Sequence, residues 1–137
     1  MRTRRSVAAA AGVSVALLVA GCATSVPRRD AVADAAVRLL TAVQDRDGGT
    51  ACALLAPDTA VAVQQAAGDA VCADAILQED LPGPGAVQHV GVYGQWAEVV
   101  FDDDTVFLAA LPGGWRVVAA GCRPRGERPY DCVGRGA

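Results

Sequence analysis

The residues that could carry chemistry are few: five cysteines, one histidine, three consecutive aspartates, and strand-type aromatics near a glutamate. His89 is the sole histidine, and as a general base it would need a pocket and an acidic partner. It lies between Gln88 and Val90 in an extended-type run, with Glu98 as its expected cross-strand neighbour. That setting favours a half-exposed strand histidine over a catalytic one. Asp102-Asp103-Asp104 offers oxygens to a cation, but calcium takes about six to eight and its loops space their acids apart. Three adjacent aspartates between two strands read instead as a solvated turn. No serine follows Ser25, which excludes a serine triad in the body of the chain. With no lysine anywhere, a phosphate loop of the Gly-Lys-Ser/Thr type is also excluded.

The cysteines divide into one and four. Leu17-Leu18-Val19-Ala20-Gly21-Cys22 resembles a bacterial lipobox. It follows a basic start with Arg2, Arg4 and Arg5 and an uncharged run from Ala8 to Ala20, the order of an export signal peptide. That run is shorter than the roughly 20 apolar residues a spanning helix needs. The resemblance implies cleavage between Gly21 and Cys22 and palmitate-type diacylglyceryl modification of the Cys22 sulfur. Two acyl chains anchor stably where one binds reversibly. The expectation is therefore a lipoprotein on the extracytoplasmic face of the cell membrane: 1–21 signal peptide, 22–29 lipidated cysteine and tether, 30–137 one domain. Thr3-Arg4-Arg5-Ser6-Val7 also resembles part of a twin-arginine motif, so either export route fits.

Cys52, Cys72, Cys122 and Cys132 remain, an even set that reads as disulfides in an exported domain. Of the connectivities open to four cysteines, the expectation is Cys52–Cys72, stapling two helices, and Cys122–Cys132, closing an apolar-poor loop. Each would stabilise by about 3 kcal/mol through the entropy of the unfolded chain. A zinc site would need closer cysteine pairs, so no metal and no cofactor are expected. A thiolate nucleophile is likewise not expected where all four thiols are oxidised.

Charge narrows the partners. Past residue 21 there are nine arginines against 15 acidic residues, with no basic stripe, which argues against nucleic acid and against polybasic attachment to lipid.

The elements that must position these residues fall into two blocks. Val32, Ala36, Leu39, Leu40 and Val43 form one apolar helix face, in a helix opened by Asp30 and ended by Asp47-Gly48-Gly49. Short helices are expected over 51–56, 60–67 and 70–77, with Pro57 and Gly68 as breaks and Asp58 and Asp69 as caps. After Leu81-Pro82-Gly83-Pro84-Gly85 the pattern turns to strands: Val87–Tyr93, Trp96–Phe101, Val106–Leu111 and Trp115–Ala120. A two-residue turn at Gly113-Gly114 groups Val106 and Leu108 with Trp115, Val117 and Ala119; a three-residue turn brings in Phe107 and Leu111 instead. Helices followed by strands imply an α+β fold, N-terminal helices packed on a four-stranded antiparallel meander sheet stapled by two disulfides.

Taken with Ala51-Cys52-Ala53-Leu54-Leu55, Gly114-Trp115-Arg116-Val117, Gly121-Cys122 and Pro129-Tyr130-Asp131-Cys132, this order resembles small secreted actinobacterial lipoproteins with a cystatin-like or nuclear-transport-factor-like domain. That superfamily includes binding modules, isomerases and cyclases, so the fold does not give the function. Tyr93, Trp96, Glu98 and Trp115 are the candidate pocket residues. Tyr93 with Glu98 resembles, in residue type alone, the tyrosine and carboxylate of ketosteroid isomerases. With no convergent catalytic set, the expectation is a non-enzymatic module binding a small apolar ligand or an envelope protein. The alternatives are an isomerase-like or cyclase-like enzyme with a pocket between helices and sheet, and a purely structural or regulatory partner of an envelope protein.

Overall fold

A computed structural model describes residues 25–136; the expected signal peptide, its cleavage position at Gly21 and Cys22 lie outside the described residues. The chain is α+β. Four α-helices come first: α1 (Ser25–Gln44), α2 (Gly48–Leu54), α3 (Pro57–Ala66) and α4 (Cys72–Ala75), which continues as a 3-10 turn over Ile76–Gln78. Five strands follow: β1 (Val87–Tyr93), β2 (Trp96–Phe101), β3 (Thr105–Leu111), β4 (Gly114–Arg125) and β5 (Arg128–Arg135). They form one antiparallel meander in the order β1-β2-β3-β4-β5.

Helix α1 buries Val32, Ala35, Ala36, Leu39, Leu40 and Ala42 against the sheet, the face its spacing predicts. It begins at Ser25, not at Asp30, so residues 25–29, expected within the tether, are helical. Pro27 does not prevent this, because first-turn amides have no intrahelical partner to lose. Asp47 does not simply end α1. Its carboxylate accepts a hydrogen bond from the Thr50 amide at 3.0 Å and so caps α2, which starts at Gly48. That bond holds the Asp47 carboxyl below its ordinary pKa. Pro57 opens α3 as its first residue, three positions before the expected start. The helix expected over 70–77 shrinks to α4 and its 3-10 extension, and Asp69 is no cap: its backbone takes φ 63° in the turn after α3.

Two corrections concern the sheet. It has five strands, not four, because β4 runs on to Arg125 and turns back as β5. The segment between Cys122 and Cys132, expected as a loop, is this hairpin. Its side chains are mostly polar, so no periodicity announced it; strand pairing and the disulfide form it instead. The β3–β4 connection is the two-residue loop Pro112-Gly113, with Leu111 paired to Gly114. Leu108 then faces Val117 in the core, the shared face expected of a two-residue turn, although the loop is Pro112-Gly113 and not Gly113-Gly114. Ala119 does not follow. A bulge at Val118 pairs it with Phe107 on the opposite face.

The core lies between the helices and one sheet face. Leu39, Leu40, Ile76, Val99, Val106, Leu108 and Val117 are each at most 1% exposed. These side chains occupy the space between the two layers. Both expected disulfides are present: Cys52–Cys72 joins α2 to α4, and Cys122–Cys132 joins β4 to β5.

Candidate functional site

Among the described residues, no helix layer covers the other face of the sheet. Strand alternation dictates what it shows, because Ala97, Val99, Val106 and Leu108 point to the core. Register then lines up Tyr93, Trp96 and Ala109 in one row, and Gly91, Glu98, Phe107 and Ala119 in the next. Tyr130 of β5 packs edge-on against Phe107, ring centroids 5.0 Å apart.

Along this face runs a groove of about 710 Å³, mainly apolar, floored by Trp96, Phe107, Ala109, Leu111 and Ala119. Its wall is built by the chain from Ala56 to Thr59. Strand β5 covers the outer edge of β4 only as far as Ala119, where it pairs through Arg135. The next stretch of that edge is taken by Leu55, which bridges to Val117, and by the Ala56 amide, which donates to the Val117 carbonyl at 2.8 Å. The bulged Val118 carbonyl accepts from the Thr59 hydroxyl and from the Gly136 amide, both at 3.0 Å. The bulge thus fixes the start of α3 and the C-terminal end of β5 side by side, and they form one rim. Arg135 and Asp58 stand on that rim, both exposed. Among the described residues, the Arg135 guanidinium has no ion-pair or hydrogen-bond partner.

Three of the four candidate pocket residues share this face, but of them only Trp96 lines the groove. The Tyr93 hydroxyl donates to Glu98 Oε1 at 3.2 Å, and that bond, with the carboxylate charge, raises the Tyr93 pKa. The ring lies over Gly91, where a Cβ would meet the hydroxyl oxygen at 2.6 Å. Trp96 sits beside the pair, 61% exposed. Trp115 is separate, on the helix side of the sheet, with the Arg28 guanidinium 5.6 Å from its ring centroid. The enzyme alternative needs a buried carboxylate facing Tyr93 between helices and sheet. The Tyr93–Glu98 pair lies on the open face instead, with Tyr93 62% exposed.

Phe107, Ala109, Leu111 and Ala119 were not singled out as a site beforehand. For the three in β3 the signal was the unbroken apolar run from Val106 to Leu111, which reads as a strand contacted on both faces; Ala119 of β4 gave none.

His89 is exposed and pairs with Val100, while Glu98 pairs with Gly91, so the expected His89–Glu98 juxtaposition does not form. The aspartate turn is not uniformly solvated either. Asp102 accepts from the Ala86 amide at 3.2 Å and from Gln88 Nε2 at 2.6 Å, tying down the approach to β1. Asp104 is buried, and its Oδ1 accepts from the Cys122 amide at 2.8 Å. Burial raises its pKa against the pull of the Cys122, Gly121 and Thr105 backbone amides and of Arg123. Among the described residues no group of three or more His, Cys, Asp or Glu side chains could hold a metal ion, and no helix is long and apolar enough to cross a membrane.

Comparison with protein families, with curated proteins and with solved structures found no match to this chain.

Proposed function

We propose that the protein is a lipid-anchored, extracytoplasmic binding module of the cell envelope, without catalytic activity, that takes a small apolar ligand in the groove on the open sheet face. The anchor is Cys22, carried by the lipobox sequence. The groove is the observation that carries the binding role: an apolar trough of about 710 Å³ falls in the size range of small-molecule sites, which combine apolar walls with a few polar groups. Helices followed by an antiparallel meander also support the cystatin-like or nuclear-transport-factor-like reading of the fold. The isomerase-like alternative has the Tyr93–Glu98 hydrogen bond in its favour. Exposure of that pair to water argues for the binding role, since proton abstraction by a carboxylate gains from a dry site.

The test is native mass spectrometry of the full-length exported protein, released from membranes in mild detergent. Extra mass that leaves on unfolding identifies the ligand class. Ala119→Phe, which fills the groove floor, should abolish that mass and also the uptake of a fluorescent polyene fatty acid. A bare mass with no probe uptake by the unsubstituted protein would overturn the reading.

A further inference from the structure

The start of α1 is pinned to one end of the sheet. Arg28 Nη2 donates to the Gly94 carbonyl in the β1–β2 turn at 2.6 Å, and its guanidinium stacks on Trp115 just after the β3–β4 turn. Arg29 is near enough to Tyr93 to act on its hydroxyl. The Gln95 carbonyl accepts from the Ala110 amide at 2.8 Å, drawing both turns into one pole. This pole displays Val26, Tyr93 and Trp96, each about 60% exposed. Arg116 reaches back over the β3–β4 turn, its guanidinium 3.5 Å from where a Gly113 Cβ would stand. The acidic turn, Asp102 to Asp104, lies at the other end of β2, about 20 Å away at ordinary strand rise.

Only three residue steps separate Cys22 from Ser25, and whatever their conformation they span at most about 11 Å. An acyl chain on Cys22 would therefore hold this pole within reach of the bilayer surface. Tyrosine and tryptophan, each with an apolar body and a polar edge, are the side chains suited to the headgroup level. We propose that this pole is a membrane-docking surface, with Tyr93 and Trp96 seated in the interface of the bilayer that holds Cys22. The proposal rests on the anchor reading. Its consequence for the groove is direct: the end formed by Trp96 and Leu111 opens toward the membrane, so an apolar ligand can pass between them without crossing water.

The protein has two tryptophans, which makes the test clean. Full-length protein carrying Trp115→Phe reports on Trp96 alone. In phosphatidylcholine–phosphatidylglycerol vesicles with bromine on the upper acyl carbons, Trp96 emission should shift to the blue and fall roughly two-fold or more, the mark of a side chain at the interface. The unlipidated Cys22→Ser form in solution supplies the unshifted reference. Trp96→Phe, with Trp115 retained, covers the case in which Trp115→Phe misfolds: here bromine should quench clearly less than it does in the unsubstituted protein, and equal quenching would overturn docking through Trp96. Flotation and the mass of Cys22 separate the two readings. Protein that floats with its acyl chains attached but shows unquenched Trp96 overturns docking alone. Protein with an unmodified Cys22 that fails to float overturns the anchor, and docking with it.

Discussion

Asp104 shows how one side chain can hold two parts of this sheet and leave a mark in solution. Its Oδ1 takes the Cys122 amide, while Oδ2 is buried with no hydrogen-bond partner among the described residues. Because burial raises its pKa in the folded state, the native protein holds that proton more tightly than the unfolded chain does. The contribution to stability is complete below the ordinary carboxylate value and is lost as pH rises through the folded value. Asp104→Asn keeps an acceptor for Cys122 and removes the charge, so it should abolish that component and leave stability at pH 7 equal or greater. Asp104→Ala strands a buried amide and should cost about 1–3 kcal/mol. Urea titrations at pH 7 and near pH 4.5 decide it; an Asn variant that weakens as much as Ala would refute the argument. None of this was readable beforehand. Three identical residues in a row give no sign that one turns inward, because that depends on β4 bringing the Cys122 amide against it.

At the scale of elements, the helices are held by close approach and by a covalent tie. Gly48 opens α2 against α4 so tightly that a Cβ there would overlap the Ala73 carbonyl. Gly48→Ala should therefore push α2 off α4 and destabilise by about 1–3 kcal/mol or more, measured as a drop in the urea midpoint at unchanged slope. The Cys52–Cys72 bridge spans the same contact, and Cys52→Ala with Cys72→Ala should cost about 3 kcal/mol on the chain-entropy view. Equal stability of the bridged and unbridged forms would show that packing alone holds the pair. Elements with a strong local signal were legible: the apolar stripe of α1, and β1 to β3 between their turns. Those set by tertiary partners were not. Helix α1 starts early because Arg28 finds Gly94 and Trp115, and β5 exists because β4 offers it an edge. Disulfide pairing was legible because sequence neighbours were also spatial neighbours. The groove was barely legible: of its lining residues only Trp96 stood out by type, while the bulge that turns Ala119 onto its face did not.

Over the whole molecule, charge is divided unevenly. Residues 25–113 carry four arginines against 13 acidic residues, and residues 114–136 carry five arginines against two. The excess is acidic, and an anionic bilayer repels it within a Debye length of about 8 Å at physiological salt. Two interfacial aromatics cannot hold such a domain on a membrane unaided. In the proposed arrangement, docking at the α1 pole depends on the anchor, which would make it an intramolecular event at high effective concentration. Anchor and docking surface should then be unequal partners. Cys22→Ser should release essentially all of the protein into the medium, at low as well as high salt, whereas Trp96→Ala should leave it fully membrane-bound and change only its orientation. The measurement is fractionation of cells expressing each form, with washes of increasing salt. A Cys22→Ser protein that stays on the membrane at low salt and leaves at high salt would place the binding energy in the arginines of β4 and β5. The lipid would then be an accessory to electrostatic attachment.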